Sequence, residues 1–77
     1  MEINELLTKC MRDKNLYFDS KGIFALVSTN PSKIFTVQDF ITKVDNEKTV
    51  IKALDGLIRN NYMIKITNGY IIKTGKV

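Results

Sequence analysis

The side chains that most often do chemistry in proteins are scarce in this chain. Its 77 residues include no histidine and one cysteine, Cys10. The commonest general base and the commonest zinc ligands are therefore missing. The carboxylates lie beside lysines at surface-type positions, where nothing raises the pKa of a carboxyl group for acid-base work. Composition predicts that the chain is not an enzyme and that it holds no metal ion or other cofactor.

Positive charge is the remaining chemical feature, and it is unevenly distributed. The formal net charge is +4. Basic and acidic residues balance over residues 1–55, whereas residues 56–77 contain no acid and these bases: Arg59, Lys65, Lys73, Lys76. Such asymmetry favours a polyanionic partner, although a solvated basic face has the same composition.

One group of polar residues is suited to contact the bases of duplex DNA. It lies at the start of the strongest predicted helix and comprises Asn46, Lys48, Thr49, Lys52. Asparagine pairs with adenine, lysine reaches guanine or phosphate, and the threonine methyl group meets thymine. Because Glu47 and Asp55 lie on the same helix, the alternative is that this is the solvated face of an amphipathic helix.

A second group is suited to phosphate contacts and comprises Thr36, Gln38, Lys65, Asn68, Lys73, Lys76. Thr36 and Gln38 begin a predicted short helix whose free N–H groups attract phosphate, although helix capping explains Thr36 equally well. The other four belong to a predicted hairpin, which can follow a phosphate backbone or enter a minor groove. Lysines on edge strands also prevent aggregation, so this alternative stays open.

These residues must be positioned by the helices and strands of the chain, and two predicted helices come first in the sequence. The first is predicted at about 3–12, because apolar residues recur at helical spacing: Ile3, Leu6, Leu7, Cys10, Met11. This stripe either enters the core, with Cys10 as a buried thiol, or pairs with its copy in a homodimer. The second helix is predicted at about 20–28, with Asp19 or Ser20 as its N-cap.

The middle of the chain predicts a loop, an extended piece and two further helices. Residues 29–33 contain an Asn-Pro breaker, and Ile34 with Phe35 forms a short extended piece. A near-capping box at 36–39 opens a third helix at about 37–43. Asp45 or Asn46 caps a fourth helix at about 47–60, whose apolar stripe is Val50, Ile51, Leu54, Leu57, Ile58. Asn60 and Asn61 supply a residue that tolerates the left-handed conformation at its end.

The last segment predicts a β-hairpin over about 62–74. Asn68-Gly69 joins two β-prone runs and is the strongest two-residue hairpin signal. If these two residues form a type I′ turn, both have positive φ, Thr67 faces Tyr70 and Ile66 faces Ile71. The side chains of Ile64, Ile66 and Ile71 then point inward, and Lys65 projects from the opposite face.

These elements predict one domain over residues 1–77, mainly α with a small antiparallel β-hairpin. The core is expected to unite the apolar faces of three helices at Phe24, Phe40, Leu54 and Leu57. A short helix followed across a tight turn by a longer one is a helix-turn-helix, and the hairpin after it would be a wing. The predicted fold is therefore a winged helix-turn-helix.

Residues 16–62 resemble the winged-helix domains of phage and plasmid replication-initiation proteins of Gram-positive bacteria. The resemblance rests on SKGIFAL at 20–26, on Phe35-Thr36 with Phe40, on VIKAL at 50–54 with Leu57, and on Asn61-Tyr62. It implies a DNA-binding domain that acts as a phage or plasmid regulator or as a replication accessory factor. The alternative is a winged-helix module that binds a protein, such as a phage-encoded inhibitor of a host factor.

The cellular location is predicted from the apolar stretches and the N-terminus. No apolar run reaches the roughly 18 to 20 residues that span a bilayer, and the first residues are acidic where a signal peptide is basic. We therefore expect a cytoplasmic protein.

Overall fold

A computed structural model of the chain describes residues 2–43 and 45–73. Its elements are helices α1 (Ile3–Arg12), α2 (Phe18–Ser28) and α3 (Glu47–Arg59), a 3₁₀ turn (Val37–Asp39), and strands β1 (Met63–Ile66) and β2 (Gly69–Ile72). The two strands form one antiparallel sheet. The predicted mainly α fold with a small hairpin is therefore confirmed. Within the described ranges, every helix falls short of the length and apolarity that crossing a bilayer requires.

The core lies among the three helices and one face of the sheet. The predicted core residues Phe24, Phe40, Leu54 and Leu57 are all buried in one cluster, so this prediction is confirmed. Tyr62 joins them, with its ring edge against Phe24 at a centroid distance of 5.5 Å. Aromatic pairs in this edge-to-face arrangement are stabilising beyond the area that they bury.

The apolar stripe of α1 packs into the core of the single chain. Leu6 and Cys10 are buried, and Ile3 and Leu7 are half-buried against the core, whereas Met11 is exposed. Burial, followed by the nearby carboxylate of Asp13, raises the pKa of the Cys10 thiol to about 11. The thiol therefore stays protonated at neutral pH, as expected for a buried cysteine.

Helix α2 begins earlier than predicted, and the predicted cap is wrong. Its first residue is Phe18, and Tyr17 precedes it without a side-chain capping bond. Asp19 and Ser20 lie inside the first turn. The Ser20 hydroxyl is buried and donates to the carbonyl oxygen of Ala53 at 2.8 Å, because packing against α3 offers it a partner away from its own helix.

The predicted third helix at 37–43 is wrong in length, since only the 3₁₀ turn Val37–Asp39 forms. The Thr42 N–H donates to the Asp45 carbonyl oxygen, and the Asp45 N–H donates to the Thr42 hydroxyl at 2.9 Å. Local bonds of this kind compete with helical hydrogen bonds. The chain therefore turns after Phe40 instead of continuing a helix.

The two ends of α3, the predicted fourth helix, are closed by asparagines. The Asn46 side chain accepts a hydrogen bond from the Thr49 N–H at 3.0 Å, which confirms the predicted N-cap. Asn61 has φ 68, the left-handed conformation that the sequence predicted at the C-terminus. The Tyr62 N–H then donates to Leu57 O and the Asn61 N–H to Ile58 O. This pair of bonds is the Schellman motif.

The hairpin forms, but its predicted register is wrong. Ile66 faces Gly69 and Lys65 faces Tyr70, so the turn residues are Thr67 and Asn68. Asn68 does not have the predicted positive φ, whereas Gly69 does, at 149°. Directly opposed residues share a face, so one face carries the exposed Lys65 together with three buried residues: Met63, Tyr70, Ile72. The predicted inward residues are half-buried on the other face: Ile64, Ile66, Ile71.

A third extended piece selects this register. Phe35 forms an isolated antiparallel bridge with Tyr70, with backbone N–H to O distances of 2.9 and 2.7 Å. A Cβ atom on Gly69 would collide with the backbone oxygen of Phe35. Glycine is therefore needed at the start of β2, where its backbone approaches that of Phe35 closely. The type I′ turn predicted at Asn68-Gly69 does not form.

We expect Leu54→Ala to lower the free energy of unfolding by about 2 to 5 kcal/mol, because Leu54 is fully buried between helices. The measurement is urea denaturation followed by helical circular dichroism. Ile51→Ala is the matched control on the same helix. Ile51 was predicted in the apolar stripe but is 36% exposed, so its truncation should cost clearly less. Equal losses for both variants would contradict the packing of α3.

We expect two glycine-to-alanine substitutions to have opposite effects on the stability of the protein. Gly69→Ala should destabilise the protein, because its Cβ meets Phe35 and its φ is unfavourable for alanine. Gly22→Ala should stabilise it by about 0.4 to 1 kcal/mol, since Gly22 lies inside α2 with open space around it. Thermal melting of both variants tests this pair. A Gly69→Ala variant as stable as the parent protein would contradict the observed hairpin register.

Candidate nucleic-acid interface

Three cations form a line along the solvent side of α3. Lys48, Lys52 and Arg59 are all exposed, and their spacing puts them on one helical face opposite the buried Leu54 and Leu57. At about 1.5 Å per residue the line is about 16 Å long. We call Lys48, Lys52 and Arg59 the basic stripe. Arg59, which the sequence-based site omits, follows from helical periodicity once α3 is placed.

Asp55 interrupts the basic stripe. It lies between Lys52 and Arg59 on the same face and is exposed. Its carboxylate lowers the positive potential of the surface, so the stripe carries a net charge of about two positive units. The face therefore attracts an anion. Removal of the Asp55 charge should strengthen that attraction.

An exposed aromatic ring adjoins the basic stripe. Tyr17 is 70% exposed, and the Lys52 ammonium lies 5.4 Å from its ring centroid. Tyr17, Asn15 and Asn60 line one open groove of about 630 Å³ together with the stripe. Asn60 directly follows α3 in the sequence. No sequence signal identifies Asn15 and Tyr17 as neighbours of α3, because their position depends on how α2 packs across that helix.

Ser20 and Gly56 determine how closely α2 approaches α3. The Ser20 hydroxyl donates to Ala53 O, and a Cβ atom at Gly56 would lie only 2.9 Å from the Ser20 oxygen. A larger residue at 56 would push the helices apart. This close crossing places Tyr17, which precedes α2, beside Lys52.

The other two residues predicted for base contact lie apart from the stripe. The Asn46 oxygen is engaged in capping α3, so only its amide NH₂ remains for a base. Thr49 is half-buried and lines a second groove with Asp19 and Asp45. The structure therefore brings Lys48 and Lys52 together but leaves Asn46 and Thr49 outside the basic stripe.

Thr36 precedes the 3₁₀ turn and Gln38 lies within it, also away from the stripe. The Thr36 N–H donates to Asp39 Oδ2 at 2.8 Å. This bond is the largest cause that holds the pKa of Asp39 below its usual value, and Lys33 adds to it. The Thr36 N–H is therefore already bound to a carboxylate. Gln38 is exposed.

The hairpin residues that were predicted to contact phosphate lie at separate positions in the structure. Lys65 is exposed on the face of the sheet that also carries Tyr70, and Asn68 is exposed in the turn. Lys73 Nζ lies 3.5 Å from the side-chain oxygen of Asn61, which puts it just beyond the Arg59 end of α3. Lys76 lies outside the described residues.

The arrangement is suited to bind an extended anion at the protein surface. Its exposed groups are the three cations of the stripe, the Asp55 carboxylate, the Asn15 amide and the Tyr17 ring, and the half-buried Asn60 lies beside them. Comparison with family models, with curated proteins and with solved structures found no match to this chain.

We expect the effect of Gly56→Ala to depend on Ser20. In the parent protein the added methyl group should destabilise by about 1 to 3 kcal/mol through overpacking, despite the better helix propensity of alanine. In a Ser20→Ala background, where the obstructing oxygen is absent, the same change should be neutral or stabilising. A double-mutant cycle of unfolding free energies measures this coupling. Additive effects would contradict the close contact between α2 and α3.

Proposed function

We propose that this chain binds duplex DNA as a winged helix-turn-helix protein, with α3 as its recognition helix. The observation that carries the proposal is the basic stripe on the solvent face of α3. A helix with its side chains is about 10 to 12 Å across, and the major groove of DNA is about 12 Å wide. The stripe, about 16 Å long, would lie along that groove.

The order of the elements supports the proposal. An extended residue, Phe35, comes before the 3₁₀ turn, which is followed by α3 and the two-stranded sheet. The 3₁₀ turn takes the place of the first helix of a helix-turn-helix, and it contacts α3. The sheet follows α3 directly, where a wing is expected.

The residues have separate roles in this proposal. Lys48, Lys52 and Arg59 bind phosphate oxygens or guanine edges, and the Tyr17 ring holds Lys52 in place. Lys65 and Lys73 bind the flanking phosphate backbone from the sheet. Because residues 16–62 resemble the winged-helix domains of phage and plasmid replication-initiation proteins, we propose a role as a cytoplasmic phage or plasmid regulator or replication accessory factor.

The salt dependence of DNA binding tests the proposal. We expect a labelled duplex of about 20 base pairs, two helical turns, to bind with a log-log salt slope of about −3 to −4, because each neutralised phosphate releases condensed counterions. Lys48→Ala, Lys52→Ala and Arg59→Ala should each weaken binding to all sequences and reduce the slope by about one. Asp55→Asn should strengthen binding, since it removes the one carboxylate in the stripe. Fluorescence anisotropy measures all five proteins.

Lys9→Ala is the charge-matched control. Lys9 is exposed on α1, outside the surface that the stripe lines, so its loss should change DNA affinity much less than loss of Lys52. Equal effects of Lys9→Ala and Lys52→Ala would indicate net charge rather than a site. No binding to any duplex at low salt would contradict the proposed function.

A further inference from the structure

A second groove lies on the other side of α2 from the basic stripe. It runs between α2, residues 39–42 with Asp45, and the start of α3, and its volume is about 330 Å³. Apolar side chains form much of its lining: Phe18, Ile23, Leu26, Phe40, Val50, Ala53. A groove of this volume is at the lower end of the range for ligand pockets, about 300 to 1,000 Å³.

Two large apolar side chains on its α2 wall are exposed to solvent. Phe18 is 87% exposed and Leu26 is 51% exposed, and both lie on one face of α2 with Gly22 between them. Nothing lies within 4 Å of where a Cβ of Gly22 would be. The two side chains therefore flank an open notch, about 12 Å apart at about 1.5 Å per residue. Apolar anchors at i and i+7 on a docking helix have a similar separation, about 10.5 Å.

The charge of the groove lining is opposite to that of the whole chain, although Lys21 Nζ lies 5.5 Å from the ring centroid of Phe18 at the edge of the groove. Its lining includes Asp19, Asp39 and Asp45 and no lysine or arginine, although the chain carries a net charge of +4. The hydrogen bond from the Thr36 N–H is the main cause that lowers the pKa of Asp39, so this carboxylate is ionised at neutral pH. Lys33, 3.7 Å from Asp39, offsets part of its charge. The Asp19 side chain is exposed and makes no hydrogen bond or ion pair within the described ranges.

We infer that this acidic groove docks an amphipathic helix of a partner protein, with an apolar face flanked by lysine or arginine. The apolar face would cover Phe18 and Leu26, and its cations would meet Asp19 and Asp45. Carboxylates at the rim repel DNA phosphates, so a nucleic acid does not fit this groove. The inference is independent of DNA binding, because the basic stripe and the acidic groove lie on different sides of α2.

A pair of synthetic peptides tests the charge and shape of the groove. Both are helical, with leucine at i, i+3, i+4 and i+7, and the remaining positions are lysine in one and glutamate in the other. We expect the lysine peptide to bind the full chain and to shift the ¹⁵N–¹H NMR signals of groove residues such as Gly22 and Thr49. At the signals of these groove residues, the glutamate peptide should bind at least about tenfold more weakly, since like charges across an interface oppose binding. Binding of the glutamate peptide at the basic stripe would instead shift the signals of Lys48 and Lys52. Equal affinities of both peptides at the groove signals would overturn the inference.

Two adjacent aromatic residues provide matched variants. Phe18→Ala should weaken binding of the lysine peptide by about tenfold, because a truncated central anchor has an effect of this size, whereas Tyr17→Ala should change it little. Both side chains are largely exposed, so both variants are expected to fold. Asp19→Asn should weaken peptide binding less than Phe18→Ala and mainly at low salt.

The same variants distinguish this inference from the DNA proposal. In the duplex assay, Tyr17→Ala should weaken binding and Phe18→Ala should not. If Phe18→Ala leaves peptide binding unchanged while duplex binding behaves as expected, the docking inference fails and the DNA proposal stands. If the chain self-associates and Phe18→Ala abolishes this self-association, the groove binds a second copy of the chain. That result would overturn the inference of a basic partner helix.

Discussion

The buried side chain and backbone of Tyr62 hold the helices and the sheet in one arrangement. Its hydroxyl donates to Asp13 Oδ2 at 2.8 Å in the turn after α1, and its ring packs against Phe24 of α2. Its N–H donates to Leu57 O, and its carbonyl oxygen accepts from the Lys73 N–H. Burial, followed by the bond to Asp13, raises the pKa of the phenol, so the hydroxyl remains a donor at neutral pH. One residue thereby connects every helix to the sheet.

Asn61 makes this position of Tyr62 possible. Its left-handed conformation ends α3 and turns the chain, so that Tyr62 enters the core and β1 starts at Met63. Asparagine tolerates this conformation better than most residues, because its short side chain bonds locally. The direction of β1 then sets the sheet against the helices. The bridge between Phe35 and Tyr70 sets the register of β2 and connects the loop before the 3₁₀ turn to the sheet.

The packing of α2 across α3 divides the polar surface into two sites of opposite charge. Thr49 and Lys52 are only three residues apart on α3, yet Thr49 lines the acidic groove and Lys52 belongs to the basic stripe. Tyr17 and Phe18 are divided in the same way at the start of α2. A chain this small can therefore present one surface lined by cations and another lined by carboxylates. The two surfaces share a scaffold, since both depend on the contact between Ser20 and α3.

The sequence by itself determined the features that depend on local patterns. Helical periodicity located α1 and α3 and the core residues Phe24, Phe40, Leu54 and Leu57, and side-chain capping located Asn46. Only the tertiary structure decided the rest. The hairpin register follows from the bridge to Phe35, the role of Ser20 from its contact with α3, and the division of Lys52 from Thr49 from the crossing of α2. These features depend on contacts between residues far apart in the chain. Local propensity and spacing do not predict such contacts.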